Sequence, residues 1–417
     1  MEHPNVLVIG GGQAGLAVSS SLSLHGIDHL VIERGRIGES WRRRWDSLRL
    51  LTPNWLSRLP GQPLGAADPD GFMRRDQVVD QLQGYAALIG APILEHTEVV
   101  SASTDGAGWE VRTNRGDYRA TSLVVATGHC QKSRIPGCAA SLDRRIRQIG
   151  ADRYRSPEQL PDGGVLVVGA SATGVQLARE LALSGRRVTL AAGTHTRLPR
   201  TYRGKDILFW LDRLGILDRR IDEMPDPRQA RREPSLQLVG RGDDALGDLD
   251  LAVLAELGVR IVGRLVGVDG TSVALGDDLL EVIAAADLRL ARLLDRIDHH
   301  LAAQQLESAF PATARPRPIA LPASAPPAAL DLAHEGIEAV VWATGFRRTY
   351  PWLHAPALDA AGEIRHWRGR GALPGLYVLG LQFQNRRRSS FLGGVGLDAR
   401  EIAVDIARRT RRLAQAA

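Results

Sequence analysis

The 417-residue sequence predicts an α/β fold organised around two Rossmann-like units. Three observations predict it. An apolar run, Asn5–Ile9, leads into Gly10-Gly-Gly12-Gln-Ala-Gly15 and then into Leu16–His25, whose apolar residues recur at helical spacing. The same order returns at Gly164–Val168, Gly169-Ala-Ser171-Ala-Thr-Gly174 and Val175–Ser184. Two further apolar runs, Leu123–Gly128 and Ala339–Gly345, both stop at Ala-Thr-Gly, where a strand end makes room for something bulky.

Each residue type in the first turn has a physical task. Gly10 permits the tight turn, Gly12 lets backbone approach a pyrophosphate, and Gly15 lets the helix pack on the strand. The helix N-terminus attracts the phosphates. Leu30–Ile32 is the next strand, and Glu33 follows it, 23 residues after Gly10. That is the place of the acid that accepts from ribose hydroxyls, so this turn is read as a site for FAD or NAD.

The second turn differs where the coenzyme would be told apart. After the strand Arg187–Ala191, the position equivalent to Glu33 is Ala192. Nothing there repels a 2′-phosphate, and Arg197 and Arg200 follow closely enough to bind one. This turn is read as an NADPH site.

Composition narrows the class. Hydrophobic residues make up 44% and charged residues 24%, too apolar for a disordered chain. No run of 18 apolar residues exists, so no membrane span is expected. The first apolar run begins at Val6, which leaves no room for a signal peptide and suggests a cytoplasmic protein. Net charge is +6, but the densest basic run, Arg386–Arg388, is short and lacks interleaved aromatics, so nucleic acid is not an expected partner. Cys130 and Cys138 are not spaced as C-x-x-C and read as small packing residues. Asp295 and His299 are helical neighbours on a solvated face, and no metal site is expected.

The remaining elements follow in order. Gly38–Arg42 and Trp45–Pro53 place aromatics in a Gly/Ser/Thr/Pro loop, which suits the wall of a flavin better than a loop mini-core. Asp76–Ile89 reads as an amphipathic helix. Glu98–Ser103, Trp109–Thr113 and Asp117–Thr121 read as an antiparallel excursion. Leu208–Leu211 with Leu214 suits a helix over the active site. Asp277–Glu307 reads as a long helix, with Asp278 and Glu281 in capping-box spacing. Its apolar stripe, Ile283, Leu290, Leu293, Leu294, Ile297 and Leu301, serves either its own domain or a homodimer contact. Pro311–Pro327 holds six prolines and reads as an extended return to the first unit. Gly375–Gly380 is a strand, and Gly393-Gly-Val-Gly396 opens a helix over Leu397–Leu413 whose N-terminus would stabilise negative charge on a reduced flavin.

Together, Gly10–Gly15, Gly38–Arg42, Leu50–Pro53, Ala126–Gly128, Gly169–Gly174 and Val341–Phe346 resemble the flavin-containing monooxygenase family in the broad sense, next to the Baeyer–Villiger monooxygenases. The resemblance covers nearly the whole chain. It implies an FAD domain made from residues 1–158 and 336–417, with an NADPH domain and helical insert at 159–335. It extends the cofactor-binding set to Gln13, Ala14, Arg34, Ser40, Trp41, Arg42, Thr52, Ala126, Thr127, Gly128, Ser171, Thr173, Thr344, Gly345, Gly380 and Gly396. It implies that NADPH reduces the flavin, that O₂ adds at C4a, and that the peroxyflavin oxygenates nitrogen, sulfur or a carbonyl of a small organic substrate. An NADPH-dependent flavin reductase or dehydrogenase without oxygen insertion is the alternative.

Three positions depart from the family pattern. Gly150 stands where the fingerprint carries histidine, four residues before Tyr154. Leu51 stands where animal-type enzymes place an asparagine beside the flavin, and Ser171 replaces the middle glycine of the second turn. With no amide at Leu51, the donor is sought among Thr52, Gln382 and Asn385, around a fairly apolar pocket.

Overall fold

A computed structural model describes residues 2–63, 68–238, 248–319 and 327–416. Two sheets carry the fold. In the first, Val6–Ile9 lies between His29–Ile32 and Ser122–Val125, parallel to both. Ile93–Leu94 extends the sheet on one side; Leu376–Val378 and a hairpin at His366–Gly371 extend it on the other. The second sheet is wholly parallel, in the order Arg260–Gly263, Val188–Ala192, Gly164–Val168, Ile337–Trp342, Arg147–Gly150. Parallel strands covered on both faces must be apolar throughout, and Val6–Ile9 and Gly164–Val168 are buried at every position.

Strand membership corrects the expected boundaries. Ile337–Trp342 pairs with Gly164–Val168 and Arg147–Gly150 pairs with Ile337–Trp342, so both belong to the second sheet. The second unit therefore begins before Arg147, and the return to the first lies after Gly345 instead of at 336. The two passages between the units touch: Lys132–Ser133 pairs antiparallel with Phe346–Arg347.

The helix Gln13–Leu24 packs on the closing helix Val395–Ala416 over one core, which includes Leu16, Leu22, Val395 and Ile406. The antiparallel excursion spans Val99–Thr104, Trp109–Thr113 and Gly116–Ala120 and buries Trp109 against the other face. The long helix runs Leu279–Ala303, and Ile283, Leu290, Leu294, Ile297 and Leu301 are buried in its own unit. Packing within the unit thus takes up its stripe. The expected capping box does not form: Asp278 makes no side-chain capping bond there. Within the proline-rich connection, residues 320–326 lie outside the described residues; the described part before them has no regular structure. No described helix is long and apolar enough to cross a membrane.

Candidate dinucleotide and redox site

The two glycine turns are geometric copies. Gly10 has φ +114° and Gly169 φ +110°, values that favour glycine. A Cβ on Gly10 would lie 2.5 Å from the Ala126 carbonyl oxygen, and one on Gly169 would lie 2.6 Å from that of Ala343. Each Ala-Thr-Gly strand end therefore lies against its turn, which explains why both carry small residues. Gly15 and Gly174 face the carbonyls of Gly10 and Gly169, where a Cβ would sit at 1.8 and 1.7 Å.

Both turns fit a dinucleotide. A Cβ on Gly12 would meet nothing within 4 Å, so the turn opens onto free space. Gly12 and Ser171 are the N-caps of their helices and neither makes a side-chain capping bond. The first N–H groups of both helices thus have no side-chain cap competing with an anion. Ser171, in place of glycine, turns its hydroxyl aside to donate to the Ser235 carbonyl at 2.9 Å. Gly128 and Gly345 also border open space.

Glu33 closes the first turn. Its carboxylate accepts from Gly11 N–H at 2.6 Å and Gly35 N–H at 2.8 Å. Arg34 is exposed and lies 3.8 Å from Glu98. Trp41 Nε1 donates to Gln13 Oε1, and Gly380, at φ +84°, comes so close to the helix start that a Cβ would sit 2.7 Å from that of Ala14. A Cβ on Gly396 would sit 2.3 Å from Pro60, which ties the closing helix to the loop after Thr52. These contacts gather Gln13, Ala14, Trp41 and Gly380 around one opening; Ser40 and Arg42 flank Trp41 on the short helix Glu39–Arg42. Arg155 donates to the Arg42 carbonyl at 2.6 Å. Trp45 departs from the expected flavin wall. It is buried with Ile149, Tyr154 and Val165, so it anchors the loop to the second unit.

Thr127 and Thr344 hold the two passages. Gln131 Nε2 donates to Thr127 Oγ1 at 2.8 Å, Gln131 Oε1 accepts from Thr349 N–H at 3.1 Å, and Thr344 donates to the Arg134 carbonyl. Thr173 lies in the first turn of the second nucleotide helix.

The expected phosphate ligands are placed otherwise. Arg197 is buried and donates to Asp250 and Asp287, both at 2.6 Å. Arg200 is wholly buried; it donates to Asp206 at 2.5 Å and to the Leu51 carbonyl at 2.9 Å, and lies over the Phe72 ring. Both turn inward because each finds carboxylates supplied by the insert. They are structural cations, and a 2′-phosphate needs another partner.

The three donor candidates separate as well. Asn385 is buried; its amide donates to Asp398 and Glu401, and its oxygen accepts from Arg368 at 2.7 Å. That network occupies it fully. Thr52 bonds Ser57 at 2.7 Å, and Leu51 packs on the insert core near Trp210. Gln382 donates to the Glu233 carbonyl at 3.3 Å and is half-buried. The neighbouring Phe383 holds φ +44°, strained for an aromatic residue.

Gly150 has a simple explanation. A Cβ there would lie 2.5 Å from Asp152 Oδ1 and 2.7 Å from Ser133, so no histidine fits. Tyr154 is kept: it is buried, donates to Glu180 at 2.9 Å, and burial together with that carboxylate raises its phenol far above the usual value.

A group of polar residues missed in the sequence lines the passages. His129 Nδ1 lies 3.3 Å from the Gly380 carbonyl, and the Arg44 guanidinium stacks on Phe346. Burial alone would raise the Cys130 thiol, but His129 and Arg44 outweigh it and bring it down to about 6. Arg231 Nε donates to the Phe383 carbonyl at 3.4 Å, while its Nη2 is buried with no hydrogen-bond partner among the described residues. Burial, then repulsion from Arg348, lowers its guanidinium. Arg348 pairs with Glu363 at 2.6 Å. The dipeptide His129-Cys130 directly after Ala-Thr-Gly was the signal available in the sequence.

The chain is similar to several known oxidoreductases. The family profile described as pyridine nucleotide-disulphide oxidoreductase matches residues 7–211. An oxidoreductase described as CzcO-like from Geobacillus kaustophilus is 35% identical over 97% of this chain and 99% of its own length. The rice indole-3-pyruvate monooxygenase YUCCA4 is 26% identical over 98% of this chain and 88% of its own. The structure of a flavin-containing monooxygenase from Stenotrophomonas maltophilia covers 98% of this chain and 100% of its own at a TM-score of 0.67 and 18% identity.

Proposed function

Because the chain belongs to the flavin-containing monooxygenase family in the broad sense, as an FAD- and NADPH-dependent oxidoreductase, we propose that it oxygenates a small organic substrate at nitrogen, sulfur or a carbonyl carbon. The observation that carries this reading is the pairing of Phe346–Arg347 with Lys132–Ser133, which brings the exit of the nucleotide unit against the passage that leaves the flavin turn. Bound FAD supplies hydride acceptance from NADPH and activation of O₂.

The protein's part is binding, orientation and dryness. The uncapped helix starting after Gly12 would hold the pyrophosphate and Glu33 would accept from the ribose, while Trp41 with Gln13 fixes the entrance loop. Of the three donor candidates Gln382, beside strained Phe383, makes the weakest bond, 3.3 Å to the Glu233 carbonyl, and it is the one assigned to donate to substrate. Arg44 and Arg231 lie along this passage, while Arg348 is neutralised by Glu363, and the two cations suit a substrate with an apolar body and one anionic group. The rice relative is named for acting on indole-3-pyruvate. Arylpyruvates therefore belong in the substrate panel beside amines, thioethers and ketones.

The test is ¹⁸O₂ turnover of the FAD-loaded protein with NADPH and that panel. Label in product, in proportion to NADPH consumed, is the expected result. The reductase reading would draw on Cys130, whose thiol His129 and Arg44 lower to about 6. NADPH oxidation that yields only peroxide or a reduced acceptor, with no label in any organic product, would establish it instead.

A further inference from the structure

We propose that Arg264, facing the side-chain-free Gly193, selects NADPH by binding its 2′-phosphate. The inference rests on the reading of the second glycine turn as the NADPH site, and it comes from laying the two halves over each other.

In the first sheet, Ile32 pairs with Leu94. The residues that follow these strand ends are both acidic. Glu33 accepts from Gly11 and Gly35, and Glu95 accepts from Ile37 N–H at 2.6 Å. The ribose end of the flavin site therefore carries two carboxylates, which suits hydroxyls and repels phosphate.

In the second sheet the counterparts of Ile32 and Leu94 are Ala191 and Val262, which pair. The residues that follow, Ala192 and Gly263, carry no charge, and Gly193 and Arg264 come next. A Cβ on Gly193 would have one neighbour within 4 Å among the described residues, the Cβ of Arg264 at 3.6 Å. The acid pair of one half is replaced in the other by Ala192 and Gly263, and a guanidinium stands one residue beyond, beside a glycine. Arg is the side chain whose planar fork best matches phosphate.

The surrounding charges leave Arg264 free for that task. Its side chain is 62% exposed, and its one ion-pair partner among the described residues is Asp278, at 3.3 Å. Such an exposed pair is weak and screened. Asp250 and Asp287 are already neutralised by Arg197. Arg289 donates to the His195 carbonyl at 2.7 Å and adds a second cation beside the same strand end. His195 is buried, and burial lowers its ring below the usual imidazole value despite the Gly193 carbonyl, Asp287 and Asp250.

The test is equilibrium binding of NADP⁺, NAD⁺, 2′,5′-ADP and 5′-AMP to the FAD-loaded protein by calorimetry, with flavin content and melting temperature as checks of folding. The unmodified protein should bind the two 2′-phosphorylated ligands at least about 10-fold more tightly than their counterparts. Arg264→Ala should weaken NADP⁺ and 2′,5′-ADP by about 10–100-fold and leave NAD⁺ and 5′-AMP within about threefold. Arg264→Lys should restore part of the loss. Gly193→Asp, which leaves Arg264 in place, should produce the same selective loss by setting a carboxylate beside the guanidinium. Equal weakening of all four ligands in Arg264→Ala, or no weakening, overturns the assignment. Equal affinity of the unmodified protein for NADP⁺ and NAD⁺ overturns it while leaving the nucleotide site intact. Failure to bind any of the four overturns the NADPH reading of the second turn together with it.

Discussion

Trp41 Nε1 donates to Gln13 Oε1 across 3.1 Å, which fastens the loop after Gly38 to the first residue of the flavin-turn helix. Trp41 also packs against the cores of both units. The bond is a latch on the dinucleotide turn more than a stability device, since a neutral hydrogen bond contributes only about 1 kcal/mol. Trp41→Phe should fold with its melting temperature nearly unchanged and lose FAD more readily on dilution. Gly12→Val should be more severe, because its side chain enters the open space where the pyrophosphate belongs. Absorbance at the flavin band per mole of purified protein measures both. Full flavin content in Gly12→Val would falsify the placement of FAD at this turn.

Arg197 now predicts something other than coenzyme choice. It is buried between Asp250 and Asp287, so Arg197→Ala strands two carboxylates out of water. Breaking a buried pair on one side costs about 3–5 kcal/mol. Chemical denaturation should show a loss of that size. The NADP⁺ to NAD⁺ affinity ratio, measured on whatever fraction stays folded, should not move. A stable variant with an altered ratio would return Arg197 to the coenzyme site.

Much of the architecture was legible because repetition is legible. Gly10, Gly12, Gly15 and Glu33 announce a turn whose every member has a steric or polar task, and Gly169 and Gly174 repeat it. Strand allegiance was harder. Ile337–Trp342 is apolar at both faces and suits either sheet; only its pairing with Gly164–Val168 decides. Arginine was hardest. Arg197 and Arg264 are alike in sequence, yet the first meets two aspartates from distant segments and the second faces a glycine. No local pattern encodes which cation a remote carboxylate will claim.

Cys130 makes a prediction about pH. Burial opposes ionisation of its thiol, but His129 and Arg44 prevail and lower it to about 6. The thiolate should therefore dominate at pH 7, and the alkylation rate of Cys130 by iodoacetamide should reach half its maximum near pH 6. Arg44→Leu removes one cation and should move that midpoint upward. Peptide mapping after timed quenching isolates Cys130 from Cys138. A midpoint at an ordinary thiol value, about 8.5, in the unmodified protein would show that the cluster does not act on it.

Asn385 supplies the last prediction, and it divides two roles the sequence left together. Its amide donates to Asp398 at 3.2 Å and Glu401 at 3.0 Å and accepts from Arg368 at 2.7 Å, whereas Gln382 makes a single long bond to a backbone carbonyl. Asn385→Leu leaves the buried Asp398 and the partly exposed Glu401 and Arg368 short of one contact each, a loss of about 1–3 kcal/mol that falls mainly on Asp398. The pH dependence has a definite sign. Burial raises the Asp398 carboxyl above its usual value, while Ser389, Arg386 and Asn385 pull it back down. Without Asn385 it rises further. A group whose folded value is raised gives stability that is intact below its unfolded value and lost as pH climbs through the folded one. The deficit of Asn385→Leu should therefore be smallest below about pH 4 and full at neutral pH, by denaturation at both. Gln382→Leu should denature like the unmodified protein at either pH and alter the yield of oxygenated product per NADPH. The reverse result, a stable Asn385→Leu with altered yield, would put Asn385 in the pocket and leave Gln382 outside it.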